Sequence, residues 1–172
     1  PRYVEKGMDF ISAKDIRLGN ISFDGCRQIS RQEFDELTKR CRPKRGDVLV
    51  TKSGSIGEVA IVSTDRPFTL FESVALIPVV PSVNSQYAAY VVYLGASGAF
   101  GAENQRGVAV RHLHLVDLRK LPFPLPPRHE QDAIVAKVEQ LMKVCDDLEA
   151  TLRRAQDRAA RLVEAVVKEM VA

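Results

Sequence analysis

Cysteine is rare in this 172-residue chain: Cys26, Cys41 and Cys145 are the only ones, scattered without CxxC or Cys/His spacing. That argues against a disulfide framework and a zinc site, and for a reducing, cytoplasmic setting. Long apolar runs are missing too. The best, Val74 to Val80, is broken by Pro78 and falls far short of the ~20 residues that cross a bilayer, so no membrane association is expected. No signal-peptide pattern opens the chain. It begins on Pro1 rather than Met, and the expectation is a fragment or a chain with residues before Pro1. Catalytic signatures are absent as well. There is no NPPF/Y or DPPY motif, no GxxxxGK[ST] and no Gly-rich turn of the dinucleotide-binding kind. No enzyme is expected, and no cofactor of its own.

Glycine and proline vanish after Pro127. In the run that follows, Ile134, Leu141, Leu148, Ala155 and Leu162 hold one heptad position, and Val138, Cys145, Leu152, Ala159 and Val166 the other. A period of 3.5 over four to five heptads predicts a long helix with a left-handed supercoil. At roughly 1.5 Å per residue, about 43 residues make a rod on the order of 65 Å. Its outer half needs a partner helix. Acid-before-base pairs four apart (Glu139/Lys143, Glu149/Arg153, Asp157/Arg161, Glu164/Lys168) each add about 0.2–0.5 kcal/mol.

The rest reads as an α+β arrangement: a strand-rich globular domain over residues 1–121, a proline-rich connector PFPLPP over 122–127, and the coiled-coil helix over 128–172. Residues 8–23 suggest two short strands around Gly19-Asn20, with Asp24-Gly25 as a second turn. Ser30 with Glu33 fits a capping box before a short helix. Asp47–Thr51 and Glu58–Ser63 read as strands flanking the SGSIG loop, whose glycines supply positive φ. Ser73–Val79 is a further strand, near an edge because of Pro78. Ser82 is the expected cap of a helix over Gln86–Leu94 with Tyr87, Val91 and Leu94 on one face. Gly95 to Leu115 is a long irregular segment of the kind that carries function. His114 to Lys120 holds one or two helical turns.

Charge divides unevenly: residues 1–127 carry 17 Lys/Arg against 13 Asp/Glu, and residues 128–172 carry 8 against 9. The densest bases are Lys39, Arg40, Arg42, Lys44 and Arg45. These suit phosphate contacts, which position without specifying, and equally suit a solvated helix end. Lys52 and Ser53 at the glycine loop, and Asn104, Gln105, Arg106, Arg111 and His112 in the irregular segment, are side chains able to read base edges. His112 and His114 could reach one metal, but no third ligand is placed. Asp117 and Glu130 suit helix starts better than an acid/base pair.

Three stretches carry a resemblance: Phe10 to Ser30, GDVLVTKSGSIGEVAIV (Gly46 to Val62), and Leu113 to Ala150. The last holds an LPPxxEQxxIV junction in Leu125, Pro126, Pro127, Glu130, Gln131, Ile134 and Val135. Together they resemble the specificity subunits of type I restriction–modification systems. One departure is His114, where the family more often has a small polar cap. The resemblance implies one target-recognition domain and one spacer helix, half of a plan in which two such domains read a bipartite double-stranded DNA site. It implies a non-catalytic chain that recruits modification subunits, which use S-adenosylmethionine, and restriction subunits, which use ATP and Mg. It also implies antiparallel pairing of the helix with a second copy or the missing half. The alternative is a coiled-coil adaptor whose domain binds protein. A second rival is the detached recognition domain of a modification enzyme, with its catalytic motifs elsewhere.

Overall fold

The computed structural model describes residues 1–17, 19–96 and 113–171. It divides into two compact units, Pro1–Gln131 and Asp132–Ala172.

In the first unit, β1 (Tyr3–Ile11) is flanked by β4 (Arg27–Ile29), antiparallel, and by β7 (Phe68–Leu70), parallel. A hairpin of β2 (Ile16–Arg17) and β3 (Asn20–Ile21) turns at Gly19, whose φ is +80°. A third sheet places β5 (Val48–Thr51) between β6 (Val59–Ile61) and β8 (Val74–Ile77), both antiparallel to it. As the Pro78 argument requires, β8 is an edge strand. β7 has no counterpart in the pattern reading. Three residues bounded by Pro67 are too short to show periodicity, and only pairing with β1 makes them a strand.

β5 is buried on both faces rather than half-buried. Leu49 packs with Ile11, Ile16, Ala60, Val62, Phe68 and Val74. Val48 and Val50, pointing the other way, pack with Ala88, Ala89 and Val92 of α2 (Ser85–Ala96). α2 therefore turns Ala88, Ala89 and Val92 to the sheet; of the expected Tyr87–Val91–Leu94 face, Tyr87 is buried and Val91 half-buried, and Leu94 is exposed, which corrects that position. Its cap also differs: Asn84 Oδ1 accepts from the backbone N–H of Gln86 (2.8 Å) and Tyr87 (3.1 Å). Asn84 stands directly before the first turn, whereas Ser82 lies too far upstream. α1 (Arg31–Thr38) is capped as expected, with Ser30 Oγ accepting from Glu33 N at 3.3 Å.

α3 (Leu115–Lys120) starts at His114, whose side chain makes no capping bond. The non-helical connector then leads to α4 (Arg128–Val171). The first turn of α4 is held to the rest of the first unit by Gln131, 1% exposed. Its Oε1 accepts from Asn84 N at 2.8 Å, and its Nε2 donates to Pro126 O at 2.9 Å and to Ser82 O at 3.4 Å. One amide thus ties the α2 cap, the connector and the first turn of α4 together. Gln131→Ala strands a buried N–H and should lower unfolding free energy by about 1–3 kcal/mol, read by urea denaturation. An unchanged midpoint would show that the amide is not an anchor.

Candidate nucleic-acid interface

The β5–β6 hairpin presents its loop, residues 52–58, on a rigid base. Thr51 is fully buried, and its Oγ1 accepts from Glu58 N at 3.0 Å and donates to the Ser55 carbonyl. Gly57 N donates to Thr51 O at 3.0 Å. Gly54 and Gly57 stand at φ +80° and +86°, backbone that residues with a Cβ adopt only at a cost. The sequence SGSIG follows from that geometry, and the loop is held before any ligand arrives.

Lys52 is fixed through its backbone. Its N–H donates to Ser73 O at 2.7 Å, and its carbonyl accepts from Leu113 N at 2.8 Å. Leu113 directly follows His112 in sequence, so the described chain resumes at the base of the glycine loop. Asn104, Gln105, Arg106, Arg111 and His112 lie outside the described residues.

The second basic group occupies the other end of the hairpin. Gly46 N donates to Val62 O at 2.8 Å, so Lys44 and Arg45 enter β5 where Lys52 leaves it. Seven steps of chain separate Arg45 from Lys52, at roughly 3.3 Å per extended step a span of at most about 23 Å, with the four strand residues Val48–Thr51 between them. Arg45 grips Asp65 with Nη2–Oδ2 at 2.8 Å and Nε–Oδ1 at 3.2 Å, and also donates to the Ser63 carbonyl. That hydrogen bond lowers the Asp65 carboxyl below its ordinary value and raises Arg45. Lys39 is paired with Glu36 at 2.6 Å. Arg40, Arg42 and Lys44 are exposed. Two of the five expected phosphate contacts thus already hold carboxylates, and the cluster does not form one patch with the loop.

The heptad face of α4 is open. Ile134, Leu141, Leu148 and Leu152 are 42%, 53%, 60% and 62% exposed; Cys145, Ala155 and Ala159 are exposed, and Val138 is half-buried. The side chains of Leu162 and Val166 lie outside the described ones. Glu149–Arg153 closes at 2.6 Å.

A profile described as the type I restriction modification DNA specificity domain matches residues 3–155. The chain belongs to this family. Among curated relatives, this specificity-domain chain is 29% identical over 165 residues to the type I restriction enzyme EcoBI specificity subunit of Escherichia coli, covering 95% of itself and 35% of that protein. It therefore spans about a third of that relative's length. Two solved structures share its fold. One is a chain from work on the assembly and conformational transition of the type I R-M system (TM-score 0.63, 20% identity, 94% of this chain and 37% of that one). The other is the HsdS subunit from Thermoanaerobacter tengcongensis (TM-score 0.66, 19% identity, 90% and 40%). Within the LPPxxEQxxIV stretch, Gln131 is the buried amide that ties the first turn of α4 to Asn84 and Pro126.

Proposed function

We propose that this chain is the sequence-reading half of a type I specificity subunit. It contacts one half of a bipartite duplex DNA site, has no catalysis or cofactor of its own, and docks modification subunits that use S-adenosylmethionine and restriction subunits that use ATP and Mg. The observation that carries this, beside family membership, is the braced glycine loop, with Lys52 and Ser53 at its start and Leu113 hydrogen-bonded to Lys52. A rigid loop lets base contacts form without first ordering the protein. Lys52, Ser53, Asn104, Gln105, Arg106, Arg111 and His112 are the base-reading candidates. Arg40, Arg42 and Lys44 remain candidate phosphate contacts, with Lys39 and Arg45 weakened by their partners. The α4 seam takes an antiparallel helix, from a second copy or the missing half, and so sets the distance between two half-sites.

Methylation mapping of the source genome with and without this gene identifies the site. On that site, Arg106→Ala and Arg111→Ala should each cost about 1–3 kcal/mol of binding and relax specificity at one position. Unchanged affinity in both would remove the irregular segment from the interface. Absence of any salt-dependent affinity for duplex DNA would favour the protein-binding adaptor.

A further inference from the structure

Two cavities flank one aromatic pair, Phe10 and Phe71, whose rings meet edge to face at 5.7 Å. They differ in charge. The larger, about 730 Å³, is lined by Glu33, Glu36 and Glu72 against Arg2. The smaller, about 280 Å³, is lined by Lys14 and Arg27 and, among the described residues, by no carboxylate. Ser53 and Gly54 of the glycine loop form part of its wall.

Both cations lining the smaller cleft have close neighbours. The Arg27 guanidinium carbon lies 4.4 Å from the Tyr3 ring centroid, and its Nη1 donates to Tyr3 Oη at 2.7 Å. Lys14 Nζ donates to Gly25 O at 3.4 Å and stands 3.8 Å from Oδ1 of the buried Asp15, while the Lys14 and Arg27 side chains remain exposed to solvent. The glycine loop packs close by: a Cβ at Gly54 would stand 3.8 Å from that of Ala13. Ala13 N in turn donates to Ser73 Oγ at 3.0 Å, and Ser73 O accepts from Lys52. Cations, rings and loop thus belong to one braced assembly.

We infer that this cleft seats a backbone phosphate of the bound DNA strand with its deoxyribose, the phosphate between Lys14 and Arg27 and the sugar against the aromatic wall, below the rim where Ser53 stands. The cleft lies below the roughly 300–1,000 Å³ of sites that enclose a whole small molecule, so it suits a protruding piece of a larger ligand. Its charge selects an anion, whereas the cavity across the Phe10–Phe71 divide repels one. The inference rests on the DNA-recognition reading, and it adds Lys14 and Arg27 to an interface so far defined by Lys52 and Ser53.

The test is binding of the full chain to its mapped site and to a random duplex across a salt series. Lys14→Ala with Arg27→Ala should make the log–log salt dependence shallower by about 0.9 per lost contact, leaving the ratio of mapped to random affinity unchanged. Ser53→Glu puts a carboxylate on the rim without touching Tyr3, and should weaken binding to both duplexes at least about tenfold, the size of one lost charge-assisted contact. Arg31→Ala, which removes a cation already paired with Asp35 at 3.0 Å, should leave the slope near that of the parent. A parent that binds, with unchanged slope in the double variant and unchanged affinity in Ser53→Glu, overturns the phosphate seat alone. A parent that binds no duplex overturns the recognition reading beneath it.

Discussion

Leu148→Asp or Leu152→Asp should convert a self-associated protein into a monomer at micromolar concentration, as read by sedimentation equilibrium. Both leucines lie on the open face of α4, at 60% and 62% exposure. Suppose two copies pair antiparallel about an axis between Arg153 and Arg154. Leu148 then meets Ala159 of the other copy, and Leu152 meets Ala155, a large side chain against a small one at each contact. Sliding by one heptad sets Leu148 against Leu152 and Cys145 against Ala155, so that large meets large and small meets small, a poorer fit that disfavours that register. Burying a leucine is worth about 1.5–3 kcal/mol, and two-fold symmetry counts each substitution twice, or about 3–6 kcal/mol. A micromolar dimer holds together by about 8 kcal/mol, so even the lower figure weakens it by roughly a hundredfold, before the cost of a buried carboxylate. Cys145, exposed on the same face, should label slowly with thiol reagents in the parent and rapidly in Leu152→Asp. A parent that stays monomeric over the whole concentration range would leave the missing half as the seam's partner.

Arg66→Ala should destabilise the first unit by about 3 kcal/mol, the lower end for breaking a buried ion pair because the arginine side is half-exposed. Asp9 is only 5% exposed in its side chain, and Arg66 Nε stands 2.5 Å from its Oδ2. Gln28 Nε2 at 3.2 Å and Cys26 Sγ at 3.5 Å complete the carboxylate's bonds. The Arg66 guanidinium also lies 4.8 Å from the Phe23 ring centroid. Removing the cation leaves a desolvated carboxylate with neutral donors only. Asp9→Asn in the same chain should therefore recover much of the loss, because both charges are then gone. Urea midpoints of the two single variants and the double variant measure the coupling. Equal costs that simply add would show that the pair contributes nothing as a pair.

The features legible in the chain were those encoded within one or two turns of themselves. The heptad positions of α4, the positive-φ glycines of the SGSIG loop, the Ser30 cap and the edge position implied by Pro78 each depend on near neighbours and backbone stereochemistry. The motif resemblance that pointed to the family rests on equally local stretches. What escaped was set by distant partners. β7 is a strand because it aligns with β1, and α2 turns its alanines inward because β5 needs a close neighbour on that face. Asn84 rather than Ser82 caps α2, and the same residue's N–H meets Gln131, forty-seven positions away.

The candidate interface divides along the same line. Lys52 and Ser53 could be named from the loop they open. Lys14 and Arg27 could not, because their cleft exists only where β1, β4 and the glycine loop converge. Nor could charge density reveal that Arg45 is already committed to Asp65, twenty positions on. By itself the sequence determined the family, through motif resemblance, and the α+β division, the glycine turn and the helical seam, which follow from periodicity, glycine freedom and short-range spacing. Only the tertiary structure decided which cations line a cleft and which are neutralised, and where the helix is anchored, because those depend on contacts between segments that no local pattern relates.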